Sequence, residues 1–114
     1  DFFTISLRQG QDNYVGVSDA FIAASDPQIS YGQAPLLTLS DQGDDRNRVL
    51  IAFDLTTLTN ADVRQAELRL SPTYLTIAPQ GVTLINRMKR PWRADETTWE
   101  QAMAGQPWNQ PGAD

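Results

Sequence analysis

The chain has 114 residues and a formal net charge of −5, 20% of its residues are charged, and it contains neither histidine nor cysteine. That length suits one domain with one modest core. The missing residue types rule out disulfides, thiolate catalysis, thiolate zinc sites, imidazole acid/base chemistry and a Ser-His-Asp triad within this chain. The acidic balance argues against a nucleic-acid partner, which wants a basic stripe, and against attraction of polyanionic sugars by bulk charge, while leaving room for a local basic patch.

No apolar run approaches the ~20 residues needed to span a bilayer. No signal-peptide pattern opens the chain, and a first residue of Asp1 fits a processed terminus or an excerpt of a longer protein.

In chain order, Phe3, Ile5 and Leu7 alternate with polar residues and predict an opening strand, closed by the turn-rich residues 9–13. Residues 18–24, SDAFIAA, predict the next strand, with Phe21 and Ala23 on one face and Ile22 on the other. Ser25, Asp26 and Pro27 break it. Residues 29–35 read as a loop, with Gly32 expected at positive φ. Residues 36–40 read as a short strand, and 41–45 as an acidic turn.

Residues 46–58, RNRVLIAFDLTTL, carry the central strand. Their near-continuous Val, Ile, Leu and Phe content suits burial on both faces. A polar bend follows Asp54, and residues 66–70 alternate cleanly enough to predict a half-buried strand. Residues 82–88 predict another. Ile51, Phe53, Leu68, Leu70 and Leu84 are the expected core. Near the end, Thr97 and Glu100 are spaced as a capping box, and Trp99, Ala102 and Met103 fall on one helical face, so a short helix is expected over 98–104, stopped by Gly105. About six short strands with turns between them imply an all-β, antiparallel sandwich or jelly roll with one short helix.

These stretches together resemble the DNRLRE-domain family. Residues 5–10 and 14–22 are similar to its opening. Ser30, Tyr31 and Gly32 match its Asn-Tyr-Gly loop, with Ser in place of Asn. Residues 48–55, RVLIAFDL, match its Arg-x-Leu-x-x-Phe-Asp-Leu strand, and 65–70 its Ser-Ala-Thr-Leu-x-Leu strand. Residues 92–99, WRADETTW, followed by Gln101, Ala102, Pro107, Trp108 and 111–113, match its Trp-rich tail. The resemblance covers nearly the whole chain in the right order. It implies a secreted or cell-surface β-sandwich module, in some members carbohydrate-binding, often found beside glycoside hydrolases or polysaccharide lyases. It also implies that 1–114 is a single domain lacking the family's last strands, so that open edges and apolar faces would be covered from outside the chain.

Several residues admit two readings. Tyr14, Tyr31 and Tyr74 lie in expected loops and are the candidate carbohydrate contacts. Trp92, Trp99 and Trp108 suit a sugar-stacking platform or core packing, and the apolar face expected around Trp99, with the place of all three in the family's structural tail, favours the core. Arg48 and Asp54 bracket the central strand and are read as structural with Phe53: Asp54 capping the next turn, Arg48 pairing with a carboxylate. Asp41, Asp44 and Asp45 around Gly43 are candidate calcium ligands whose spacing fits no EF-hand loop, so a solvated acidic turn is favoured. Asp12, Asn13 and Asp19 form a second such cluster. Asp95 and Glu96 are adjacent, which suits a helix start better than the separated carboxylates of a glycosidase.

The functional expectation is a non-catalytic extracellular or cell-surface module for carbohydrate binding or cell-surface adhesion, with no cofactor unless calcium binds, partnered by polysaccharide or by the remainder of the same polypeptide. The alternative is a structural subunit of a filament or layer, a homo-oligomer assembled by strand addition between copies if the chain is complete, with residues 1–8 as the donor. A fragment of a polysaccharide-active enzyme is the minor alternative.

Overall fold

A computed structural model of the chain describes residues 3–41, 43–73 and 83–113. Among the described residues the regular structure is β, with one turn of 3-10 helix. Strand β1 spans Val17–Ala23 and β2 spans Asn47–Phe53. They pair antiparallel from Val17 opposite Phe53 to Ala23 opposite Asn47. Both runs are rich in β-branched and aromatic residues, which suit a pleated surface. The 3-10 turn Thr56–Leu58 follows β2, and a small hairpin, β3 (Gln101–Met103) with β4 (Gln106–Pro107), lies near the end. Ser40 adds one isolated bridge to Asn47.

Ala20 and Ile22 of β1 and Leu50 of β2 share one face of the first sheet and are buried. Against that face pack Trp99, Ala102 and Trp108, with Ala24, Met88, Trp92 and Ala113 around them. The core is thus a sandwich of side chains between the β1–β2 ladder and the Trp-rich tail. The opposite face carries Val17, Phe21, Val49, Ile51 and Phe53, all half-buried.

The core differs from the one the alternation predicts. Leu68, Leu70 and Leu84 are 42%, 62% and 79% exposed, and Ile51 and Phe53 are only half-buried. The expected strands over 3–7, 66–70 and 83–88 form no ladder among the described residues, and residues 36–39 form none either. Alternation marks which residues share a face, but burial needs a second surface, and the tail has already taken the buried face of β1–β2. Among the described residues the strands make two two-stranded sheets rather than a closed sandwich. Residue 82, the first of the expected last strand, lies outside the described residues.

The expected helix over 98–104 is a turn and hairpin instead. Thr98 Oγ1 accepts hydrogen bonds from the backbone N–H of Glu100 (3.1 Å) and Gln101 (3.2 Å), and Thr97 Oγ1 donates to the Gln101 carbonyl (3.1 Å). Threonine hydroxyls that capture nearby backbone groups compete with a helix for them. Glu96 Oε1 accepts from Ala104 N at 3.0 Å, and Gly105, at φ 76°, makes the reversal between β3 and β4. Gly32 is likewise not at positive φ. It is glycine because a Cβ there would collide with the backbone of Ala94.

We expect Leu50→Ala to lower unfolding free energy by about 2–5 kcal/mol, and Leu70→Ala or Leu84→Ala by no more than about 0.5 kcal/mol, in urea titrations. The reverse ranking would put the core on the wrong side of β1–β2.

Candidate functional site

The loop before β1 builds a rigid aromatic platform. Gln11 N donates to the Arg8 carbonyl (3.0 Å), Tyr14 N to the Gln11 carbonyl (2.9 Å), and Gly10 N to the Tyr14 carbonyl (2.7 Å). Asp12 and Asn13 sit consecutively in the left-handed region, at φ 52° and 63°, a conformation that Asp and Asn tolerate best after glycine. The chain emerges with Tyr14 laid back over Gly16. A Cβ on Gly16 would come within 2.7 Å of the Tyr14 ring and of the Asp54 side chain, so only glycine admits this approach. The Tyr14 hydroxyl donates to the Asp54 carbonyl at 2.8 Å, and Gln9 Oε1 accepts from Val17 N at 3.0 Å. The ring is therefore held at its hydroxyl end, by the Asp54 carbonyl and by close approach to Gly16.

Asp54 ends β2 beside this ring. Its Oδ1 accepts from Thr56 N at 2.9 Å, closing the turn into the 3-10 segment as its position after the strand predicts. The backbone N–H of Thr56, and then its side chain, hold the Asp54 carboxyl below its ordinary range. Tyr14, Asp54, Asp12, Asn13, Gln11 and Thr57, with Ile5, Leu7 and Val15, line a shallow groove of about 440 Å³. An aromatic ring ringed by amide, hydroxyl and carboxylate groups offers a C–H-accepting surface together with hydrogen-bond partners for hydroxyls.

The other sequence-marked tyrosines are placed differently. Tyr31 stacks on Phe21 with centroids 4.4 Å apart and planes at 11°, and its hydroxyl donates to Asp26 Oδ2 at 2.7 Å. That bond to the carboxylate pushes the phenol up. Tyr74 lies outside the described residues.

The tryptophans sit in the tail. Trp99 and Trp108 are buried and Trp92 is half-buried against the core. The Trp108 indole N–H donates to the Thr98 carbonyl at 2.9 Å. The Trp99 ring carries two guanidiniums, Arg46 at 5.6 Å and Arg48 at 5.2 Å from its centroid. Arg48 Nη1 donates to the Gly112 carbonyl at 2.6 Å. Arg48 thus pairs with a backbone carbonyl and an indole face, not with the carboxylate expected of it. Both arginines are exposed, and neither has a carboxylate partner among the described residues. Arg46 is a residue that motif and composition pass over. The signal that could have found it is its i, i+2 spacing with Arg48, which puts both on one face of the strand direction.

Asp41, Asp44 and Asp45 occupy an exposed turn. Its geometry comes from Ser40 Oγ, which donates to the Asp45 carbonyl, and from Asn47 Nδ2, which donates to that carbonyl at 3.3 Å and to Ser40 Oγ at 2.7 Å. Among the described residues no group of three His, Cys, Asp or Glu stands close enough to hold a metal ion. Glu96 is committed to the hairpin through Ala104 N and lies 3.8 Å from Arg93, while Asp95 beside it is exposed. No helix among the described residues is long and apolar enough to cross a membrane.

Residues 11–109 match the family profile of carbohydrate-binding module family 96. The match covers most of the chain, and the chain belongs to that family. This is compatible with the DNRLRE resemblance without singling it out. No curated protein and no solved structure matches the chain.

Because hydrogen bonds to its charged form depress the Asp54 carboxyl, its contribution to stability is present above the ordinary Asp range and is lost as pH falls through its own lower value. NMR titration of the side-chain carboxyl carbons should show Asp54 among the most acidic aspartates. Asp54→Asn should flatten the acid limb of the stability curve. An ordinary titration at Asp54 would mean that the turn is not closed in solution.

Proposed function

We propose that the chain is a non-catalytic module that binds polysaccharide, holding a sugar on the Tyr14 ring in the groove between the 8–14 loop and the end of β2. The observation that carries this reading is the Tyr14 platform itself. Its ring is fixed by Gly16 and the Asp54 carbonyl, and the side chains beside it are the amide, hydroxyl and carboxylate groups that pair with sugar hydroxyls. Membership of a carbohydrate-binding family supports it. A fixed ring loses little conformational freedom on binding, so its stacking energy is retained. In this reading the module is extracellular, a domain at which polysaccharide meets its parent protein, and β1–β2 is one layer of a β-sandwich of jelly-roll type.

One observation favours a second surface. Arg46 and Arg48 lie over Trp99 with no carboxylate among the described residues to neutralise them, and an arginine fork matches a uronate carboxylate. On this reading acidic glycans bind along the tail and neutral ones at Tyr14.

Calorimetry with oligomers of alginate, xylan, mannan and cellulose, each with and without calcium, separates the two. At the Tyr14 groove, Tyr14→Ala should weaken binding about tenfold or more, a loss of about 1.4 kcal/mol, with Arg46→Ala neutral. At the arginines the ranking reverses and alginate is the ligand. A requirement for calcium would implicate the Asp12 carboxylate of the 8–14 loop or the carboxylates of the 41–45 turn. No heat with any oligomer would sink the carbohydrate reading for this chain.

A further inference from the structure

Residues 36–40 leave the sheet after a single bridge, and their register shows where they belong. Ser40 and Asn47 exchange both backbone hydrogen bonds, Ser40 N to the Asn47 carbonyl at 3.2 Å and Asn47 N to the Ser40 carbonyl at 3.0 Å. That is one hydrogen-bonded pair of an antiparallel ladder. Continued by two residues, it sets Thr38 opposite Val49, and by two more, Leu36 opposite Ile51.

The edge of β2 is ready for this. Asp54 N bonds the Gly16 carbonyl and Ala24 N bonds the Arg46 carbonyl, so the even-numbered residues of β2 face β1. Asn47, Val49, Ile51 and Phe53 therefore turn their N–H and C=O outward, and beyond Asn47 that edge has no backbone partner among the described residues. It holds no proline, and the residues that turn their backbone outward carry no charge themselves. Residues 36–39 make no backbone hydrogen bond among the described residues, and Leu36, Leu37 and Leu39 are exposed.

Side-chain pattern agrees with the register. Leu36 and Thr38 would join the face of Val49 and Ile51. Leu37 and Leu39 would join the face of Leu50 and Arg48, at the margin of the Trp99 core. Pro35 would come next, its missing N–H on the outer side, where an edge strand tolerates proline.

We infer that residues 36–40 form a strap that docks along the outer edge of β2, zipping from the Ser40–Asn47 bridge to make a third strand and close that edge within one molecule. The strap occupies the groups that strand addition between copies would need, so docking and assembly through this edge exclude one another.

Amide hydrogen exchange followed by NMR on the whole chain reads the docking directly. The Leu36, Thr38, Val49 and Ile51 amides should exchange about tenfold or more slowly than those of Leu37 and Leu39, which face outward. Even, fast exchange along 36–39 overturns the proposal whatever the variants do. Protection that appears only as protein concentration rises also overturns it, since the partner strand then belongs to a second copy. As a second measure, Thr38→Pro should melt about 4 °C or more below Thr38→Ala, because only the proline removes the donor to Val49. A free strap predicts the opposite sign, since proline in an unpaired extended segment stabilises or does nothing.

Discussion

The indole of Trp99 is where the β1–β2 ladder and the tail meet. Its ring fills the space above Leu50 and Ile22, its carbonyl accepts from Gly112 N at 2.7 Å, and its face receives the guanidiniums of Arg46 and Arg48. Arg48 returns to the Gly112 carbonyl, so strand β2, the indole and the 111–113 segment form one closed circuit. The ring also dictates the glycine. A Cβ at Gly112 would lie 2.9 Å from both Trp99 and Arg48, and its φ of 96° suits no side chain. Among the described residues the first sheet has only two strands, and its buried face is covered by this tail. A two-stranded ladder alone is marginal in water.

The Tyr14 groove hangs from the other end of the same ladder. It forms where β1 begins and β2 ends, so the pairing of Val17 with Phe53 sets the distance from Tyr14 to Asp54. A disturbance of the ladder register by one residue would turn Gly16 away from the ring and lose the platform, although none of the groove's own residues had changed. The groove is thus shaped by backbone geometry more than by side-chain packing, which explains its dependence on one glycine and on two left-handed residues in the loop before it.

Much of this was legible in the residues, and the parts that were not share a cause. Strands β1 and β2 could be placed within a residue or two because their β-branched and aromatic content leaves few competing structures, and the Asp54 turn because an Asp after a strand has a local partner two residues on. Tyr14 could be marked as a loop aromatic, but not as a fixed one, since its fixing partners are Gly16 and a carbonyl 40 positions away. The tail misled because Thr97, Thr98 and Glu100 satisfy the spacing of a helix start while the threonine hydroxyls bond backbone groups that a helix would have used. The Trp108 N–H and the Arg48 guanidinium likewise find carbonyls that no periodicity announces. Leu68, Leu70 and Leu84 show the limit of alternation: it orders residues by face without supplying the surface that covers them.

The net charge misleads in the same way, by averaging over what is local. A charge of −5 over the whole chain sets a weak, long-range field, and at physiological ionic strength that field decays over about 8 Å. A carboxylate approaching Arg46 and Arg48 would meet two guanidiniums that have no carboxylate partner among the described residues, with Asp44 and Asp45 directly preceding Arg46 in the chain. Two like charges near one indole repel each other, and a bound anion would lower that repulsion. Bulk acidity therefore weighs against long nucleic acids, which must neutralise many phosphates at once. It weighs little against a single uronate set down on one pair of arginines, and the choice between acidic and neutral glycans rests on side-chain geometry that composition does not report.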